Sequence, residues 1–272
     1  VCSQITLDKL RNYRDSSGKT PVDYFSRLAY SPESLTERQE HMKQIFGYIE
    51  LHIEQGPVLE AEGLDVGIVE SIAAPIRLKI NVIGESAHSG ACPMSLRHDA
   101  LAAAAQIVAE VERLGREEAS NKSVATVGKI NVPHQALNVV PGECELYVDI
   151  RGIHFDSMTR IYKKLCNKMD ELEKEREIQI SRTLLSEEQP VAMNRELGEV
   201  IARNCEKTGL KYKWMPSGAG HDAMNVAKVA PAAMIFVPCV GGISHNKAEM
   251  VNEKDLRNSI QILYEVTMDL CN

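Results

Sequence analysis

The chain has 272 residues, 44% of them hydrophobic and 25% charged, with a formal net charge of -7. That length buries a full core and sits where one core gives way to two domains. No run approaches the roughly 20 apolar residues of a membrane helix, and no basic stripe with interleaved aromatics is present, which argues against a membrane or nucleic acid as partner. The seven cysteines, at 2, 92, 144, 166, 205, 239 and 271, form no CxxC pair and are odd in number, the expectation for thiols kept reduced in a cytoplasm. The opening VCSQITLDKLRNYRD has neither the charged head nor the apolar core of a signal peptide, and no initiator methionine. It is expected to be a beginning in mid-protein.

Taken in chain order, YIELHIEQGPVLE (48–60) starts with a strand-like alternation that places His52 opposite Leu51 and Ile53, on the side of Glu50 and Glu54. In PIRLKINVI, Ile76, Leu78, Ile80 and Val82 alternate with polar residues, as in a strand with one covered face. A helix over 99–111 follows, with Leu101, Ala104, Ala105, Val108 and Val111 as its stripe and Asp99 near its positive end. SVATVGKINV and CELYVDIR read as strands, the second with Cys144, Leu146, Val148 and Ile150 on one face and Arg151 on the other. A helix with Asp156 as N-cap carries Met158, Ile161, Leu165, Met169 and Leu172 on its stripe, and the strand EIQISRTLL closes the unit.

This order over residues 72–186 predicts a split βαβ sandwich, four strands with both helices on one side and a free face or edge for a partner. Downstream, a helix over 195–208 is stopped at Gly209, KYKWM and AMIFVP are short strands, and 253–270 is an amphipathic terminal helix. These alternate as in an α/β layer but supply too few strands for a sheet, so a further segment is expected upstream. The charge run KMDELEKEREIQ reads as the solvated end of a helix.

Several residues could carry chemistry. His52 is either a surface histidine flanked by acids or a metal ligand. His245, in CVGGISHNKAE after a strand, is either a chance histidine beyond a glycine turn or a second ligand, since loops at the carboxyl ends of such strands bind ligands. SGAGHDAMNVA (217–227) offers Gly218 and Gly220 before a helix starting near Asp222. Its backbone N–H groups suit a carboxylate, and it is also a plain tight turn with Asp222 as N-cap. His88, in the polar loop GESAHSGACPM, is a candidate donor to an oxyanion. Asn138 and Arg151 lie 13 residues apart on adjoining segments. An arginine on a strand is either a rigid fork for a carboxylate or half of a surface salt bridge.

Together, ELHIEQGPVLE, GESAHSGACPMSLRHDALAAAA, NVVPGECELYVDIR, SGAGHDA and MIFVPCVGGISH resemble the hydantoinase/carbamoylase family of di-metal amidases over essentially the whole chain. The resemblance implies an α/β fold: a partial di-metal exopeptidase-like catalytic domain of α/β/α layers (residues 1–71 and 187–272) with an inserted βαββαβ lid and dimerisation domain (72–186). It implies a metal-dependent amidohydrolase acting on N-carbamoyl-L-amino acids, with allantoate as the alternative substrate, a homodimer, and two zinc or manganese ions per site. His52 and His245 would each be a terminal ligand of one metal. His88 would polarise the scissile carbonyl in the neighbouring subunit's site. Asn138, Arg151, Gly218 and Gly220 would hold the substrate carboxylate, with Gln55 a further substrate-side candidate. The family's His-x-Asp motif and Glu-Glu pair, which supply the other ligands and the general base, fall upstream of the first residue. The other expectation is therefore a dimerising remnant without turnover. Action on peptides is the less favoured reading.

Overall fold

The computed structural model describes residues 6–28, 30–33, 44–134 and 136–272. The chain divides into two compact units, residues 1–72 with 192–272, and residues 73–191. In chain order, the first unit supplies helices α1 (Leu7–Asn12) and α2 (Pro21–Arg27), strand β1 (Tyr48–Ile53), helix α3 (Val58–Glu62) and strand β2 (Val66–Ile72). The second unit follows with β3 (Ala74–Ile83), β4 (Ala87–His88), α4 (Ala100–Glu117), β5 (Ser123–Asn131), β6 (Val139–Val140), β7 (Glu143–Gly152), α5 (Phe155–Arg176) and β8 (Gln179–Glu187). The chain passes through β9 (Val191–Ala192) to α6 (Arg195–Thr208), β10 (Tyr212–Ser217), α7 (Ala223–Val226), β11 (Ala232–Val237) and α8 (Glu253–Cys271).

The sheet of the first unit has the order β1-β11-β2-β10, with β9 paired to β2. Strand β1 runs parallel to β11 and β10 parallel to β2, while β11 and β2 are antiparallel. Strands β1 and β2, which lie before the second unit in sequence, complete this sheet with β10 and β11. All six residues of β11 are buried, as in a strand covered on both faces. Leu197, Ile201 and Cys205 of α6 and Ile262 and Val266 of α8 form one buried cluster with Val66, Ile68, Ala233 and Ile235 of the sheet. Gly209 ends α6 in the left-handed conformation at φ 72, as expected of a C-terminal glycine. On another flank of α8, Leu256, Ile260, Tyr264 and Met268 recur every four residues and are 49, 58, 60 and 42% exposed.

The second unit is the expected split βαβ arrangement, an antiparallel sheet of order β5-β7-β3-β8. The alternating residues of β3 and β7 and the stripe of α5 fall where the pattern puts them, at no more than 2% exposure. The stripe of α4 is a correction. The structure buries Ala100, Ala103, Ala104, Ile107, Val111 and Leu114, leaves Ala105 and Val108 exposed, and runs the helix on to Glu117. Ile107 and Leu114 bring far more apolar area than the alanines and set the helix phase. A second correction concerns α5, whose N-cap is His154, so that Asp156 sits within the first turn, still favourably near the positive end. The sheet face away from the buried cluster carries charge: Lys79 pairs with Glu145, and Arg77 and Arg151 both pair with Asp149.

Candidate functional site

In the first unit, β1 and β11 are parallel neighbours in register, with His52 beside Phe236. Parallel pairing brings the carboxyl ends of both strands to one edge, where their following loops carry Gln55 and His245. The imidazole Nδ1 of His52 lies 2.8 Å from the carbonyl oxygen of Ile53. A carbonyl only accepts, so Nδ1 carries the proton and Nε2 of the neutral ring keeps its lone pair, the form a metal ligand needs. The two acids that flank His52 in sequence are engaged in folding. Glu54 is buried, and its carboxylate accepts from the backbone N–H groups of Val58 and Leu59, capping α3. Glu50 accepts from Ala223 N at 2.7 Å, at the start of α7.

Asp222 holds the N-cap position of α7 as expected, but the capping carboxylate comes from Glu50. Asp222 has helical dihedrals, φ -63 and ψ -32, and its side chain makes no cap hydrogen bond. An N-cap carboxylate reaches the free N–H groups from an extended backbone, so Glu50 from β1 takes the place of Asp222.

Sequence reasoning missed His221, which occupies the centre of this cluster. Its side chain is 2% exposed, its ring stands edge-on to His52 with centroids 4.6 Å apart, and Phe236 closes its other side at 5.5 Å. Burial, and then the neighbouring His52, push its pKa down to about 4, so the ring is neutral at neutral pH. The hydroxyl of Ser217 donates to Ala219 O at 2.9 Å, so it accepts from His221 Nε2 at 2.8 Å. Ser217, His221 and Glu50 imitate a nucleophilic triad, but Ser217 is 1% exposed and its proton is committed. His221 Nδ1 also stands 3.9 Å from Glu50, beyond hydrogen-bond reach. The trio pins the glycine loop instead. Gly218 and Gly220 are exposed on that loop. The available signal was the histidine inside SGAGHDA itself, between two glycine-spaced turn residues and an acid.

The second unit places the remaining candidates. Strand β4 pairs with β6, setting His88 opposite Val139, and Ser89 N donates to Asn138 O at 2.9 Å, so His88 and Asn138 adjoin. Backbone N–H groups of Gly90 and Ala91 both donate to His88 Nδ1, at 3.1 and 3.2 Å. The neutral ring therefore carries its proton on Nε2 and offers an N–H donor, the tautomer that polarising a carbonyl requires. Arg97, bonded to the carbonyls of Ser89 and Cys92, holds this loop in shape. Arg151 Nε donates to Asp149 at 2.7 Å. That contact is the salt bridge of the plainer reading of this residue, and it holds the guanidinium by its Nε.

Among the described residues, no three histidine, cysteine, aspartate or glutamate side chains converge in a way that could hold a metal ion. His52 and His245 by themselves do not fit a two-metal centre, since stable zinc sites take three or four protein ligands per ion. Among the described residues no helix is long and apolar enough to cross a membrane.

Two candidate histidines thus lie at the carboxyl edge of one sheet, whose two sequence segments are separated by the split βαβ unit. The chain belongs to peptidase family M20/M25/M40, whose pattern it matches over residues 28–269. It is 34% identical to an N-carbamoyl-L-amino acid amidohydrolase of Geobacillus stearothermophilus and 37% identical to an allantoate amidohydrolase of Escherichia coli. Each match covers 94% of this chain and 62% of the relative. A crystal structure of a hydantoinase/carbamoylase family amidase from Burkholderia multivorans superposes with a TM-score of 0.85 at 30% identity, over 98% of this chain and 64% of that one. The chain thus spans somewhat under two thirds of the length of these proteins.

Proposed function

We propose that this chain belongs to a metal-dependent amidohydrolase that cleaves the carbamoyl C–N bond of N-carbamoyl-L-amino acids, releasing ammonia, carbon dioxide and the amino acid. The observation that carries this reading is the pair of preset imidazoles, His52 with Nε2 free to ligate and His88 with Nε2–H ready to donate. In the reading, His52 and His245 are terminal metal ligands. His88 donates to the carbamoyl oxygen in a partner subunit's site, while Asn138, Arg151, Gly218 and Gly220 hold the carboxylate. Allantoate is the second reading, favoured by the similarity to the Escherichia coli enzyme. Residues 72–186 would form the homodimer contact, and sedimentation as a monomer at micromolar concentration would count against it.

The test is ammonia release from N-carbamoyl-L-amino acids and from allantoate, in the presence of zinc or manganese, by a full-length version of this protein and its Arg151→Lys variant. Lysine keeps the charge and loses the fork, so KM should rise strongly, by a factor corresponding to about 2 kcal/mol, with metal content unchanged. Kinetics equal to the parent's would remove Arg151 from the site. Residues 1–272 alone are expected to keep fewer than two equivalents of metal after dialysis and to show no turnover. Two equivalents with turnover would mean that ligands beyond His52 and His245 lie within the chain.

A further inference from the structure

The loops following β1 and β11 contain two residues in the left-handed region that are not glycine, Gln55 at φ 59 and His245 at φ 56. Such conformations disfavour a side chain and persist where the surroundings over-determine them. The surroundings here are specific. Gln55 Nε2 donates to Ser244 Oγ at 2.8 Å, joining residues 189 apart in sequence. The thiol of Cys239 lies 3.6 Å from the carbonyl oxygen of Gly56. Glu60 accepts from Gly241 N at 2.7 Å, and Glu249 accepts from His245 N at 3.1 Å. Gly242 is pressed so closely on the first loop that a Cβ there would lie 2.6 Å from Pro57 N and 2.7 Å from Gly56 C.

We propose that Gln55 is a positioning residue: through Ser244 it locks the loop that carries His245 to the end of β1 that carries His52, setting the two histidines as one unit. The other ties between the loops given above each use a backbone group on one side, Gly56 O under the Cys239 thiol and Gly241 N on Glu60. The Gln55–Ser244 bond is a side-chain to side-chain link, adjacent to His245 on one loop and three residues from His52 on the other. The left-handed backbone at Gln55 aims that side chain across the gap. The Gln55 amide is engaged with Ser244, which is a different task from contacting substrate. The proposal rests on the reading of His52 and His245 as ligands only for what the unit does; the locking itself is a property of the loops.

The experiment uses residues 1–272 without ligand and follows amide hydrogen exchange across 240–246. Gln55→Ala and Ser244→Ala should each accelerate exchange there about five- to tenfold, the effect of one lost hydrogen bond, with helices α4 and α5 unaffected. The double variant should exchange no faster than either single one. Gln55→Glu, whose carboxylate accepts from the Ser244 hydroxyl, should restore protection, as loss of packing alone would not allow. Unchanged exchange in the single variants, or effects that add in the double variant, would overturn the proposal. A zinc titration followed by the imidazole resonances of His52 and His245 separates the two questions. If exchange behaves as expected and zinc moves neither resonance, the positioning stands and the metal reading falls.

Discussion

Gly84 opens the loop of His88, and its backbone runs so close to the next turn that a Cβ would collide with the carbonyl of His98. Its N–H donates to Gly142 O at 2.8 Å, and Glu85 N donates to that same His98 carbonyl at 2.9 Å, so neither side can withdraw without breaking a backbone hydrogen bond. Gly84→Ala should therefore cost about 3 kcal/mol, read as a shift in urea midpoint. It should also release the His88 imidazole from its two backbone donors, which ¹⁵N shifts of the ring would report. At this scale the sequence exposed the residue types but not their states. His88 and His52 could be marked as candidates, but the tautomer of each follows from backbone groups that only the folded loop brings near. His221 escaped notice because its importance comes from burial between His52 and Phe236. Glu54, which alternation assigned to the side of His52, turned inward to cap α3 because two free N–H groups outbid solvent for its carboxylate.

Among the elements, strands were the easier to read. Alternating isoleucine and leucine against arginine and lysine in β3 leaves one solution for which face is covered, and the register with β7 and β8 keeps it. Helix α4 was harder, because four consecutive alanines, Ala102 to Ala105, give almost no contrast around the helix. Its phase is directly testable: Ile107→Ala should cost about 3 kcal/mol, while Val108→Ala should stay within about 0.5 kcal/mol. Equal costs would contradict the packing. At the end of α4, Glu118 is buried and takes hydrogen bonds from Arg160 and Ser157 of α5 and from Asn121. Arg160 first, then Ser157, hold its pKa down to about 2, against an ordinary 4.5. A depressed carboxylate stabilises fully above its unfolded value and loses that contribution as pH falls from 4.5 towards 2. Glu118→Gln should thus cost about 2 kcal/mol at pH 7. The gap between parent and variant should close by pH 2, as urea midpoints across the range would show.

For the molecule as a whole, the division into two units was legible because a long antiparallel pattern interrupts an α/β one. The first unit was less so, since its strands β1 and β2 are separated from β10 and β11 by the whole second unit. The flank of α8 bearing Leu256, Ile260, Tyr264 and Met268 bears on how a solution of this protein behaves. Four apolar side chains in a row offer a sticky ridge, and sulfate salts, which strengthen apolar burial, should bring molecules together along it. A preparation of residues 1–272 should be retained on a phenyl column in ammonium sulfate and brighten an apolar-sensing dye while fully folded. Replacing Ile260 and Tyr264 by lysine should shorten retention and dim the dye with little change in unfolding midpoint. Such a pair would turn a chain prone to cluster at high concentration into one that stays dispersed, without touching a single residue of either candidate site.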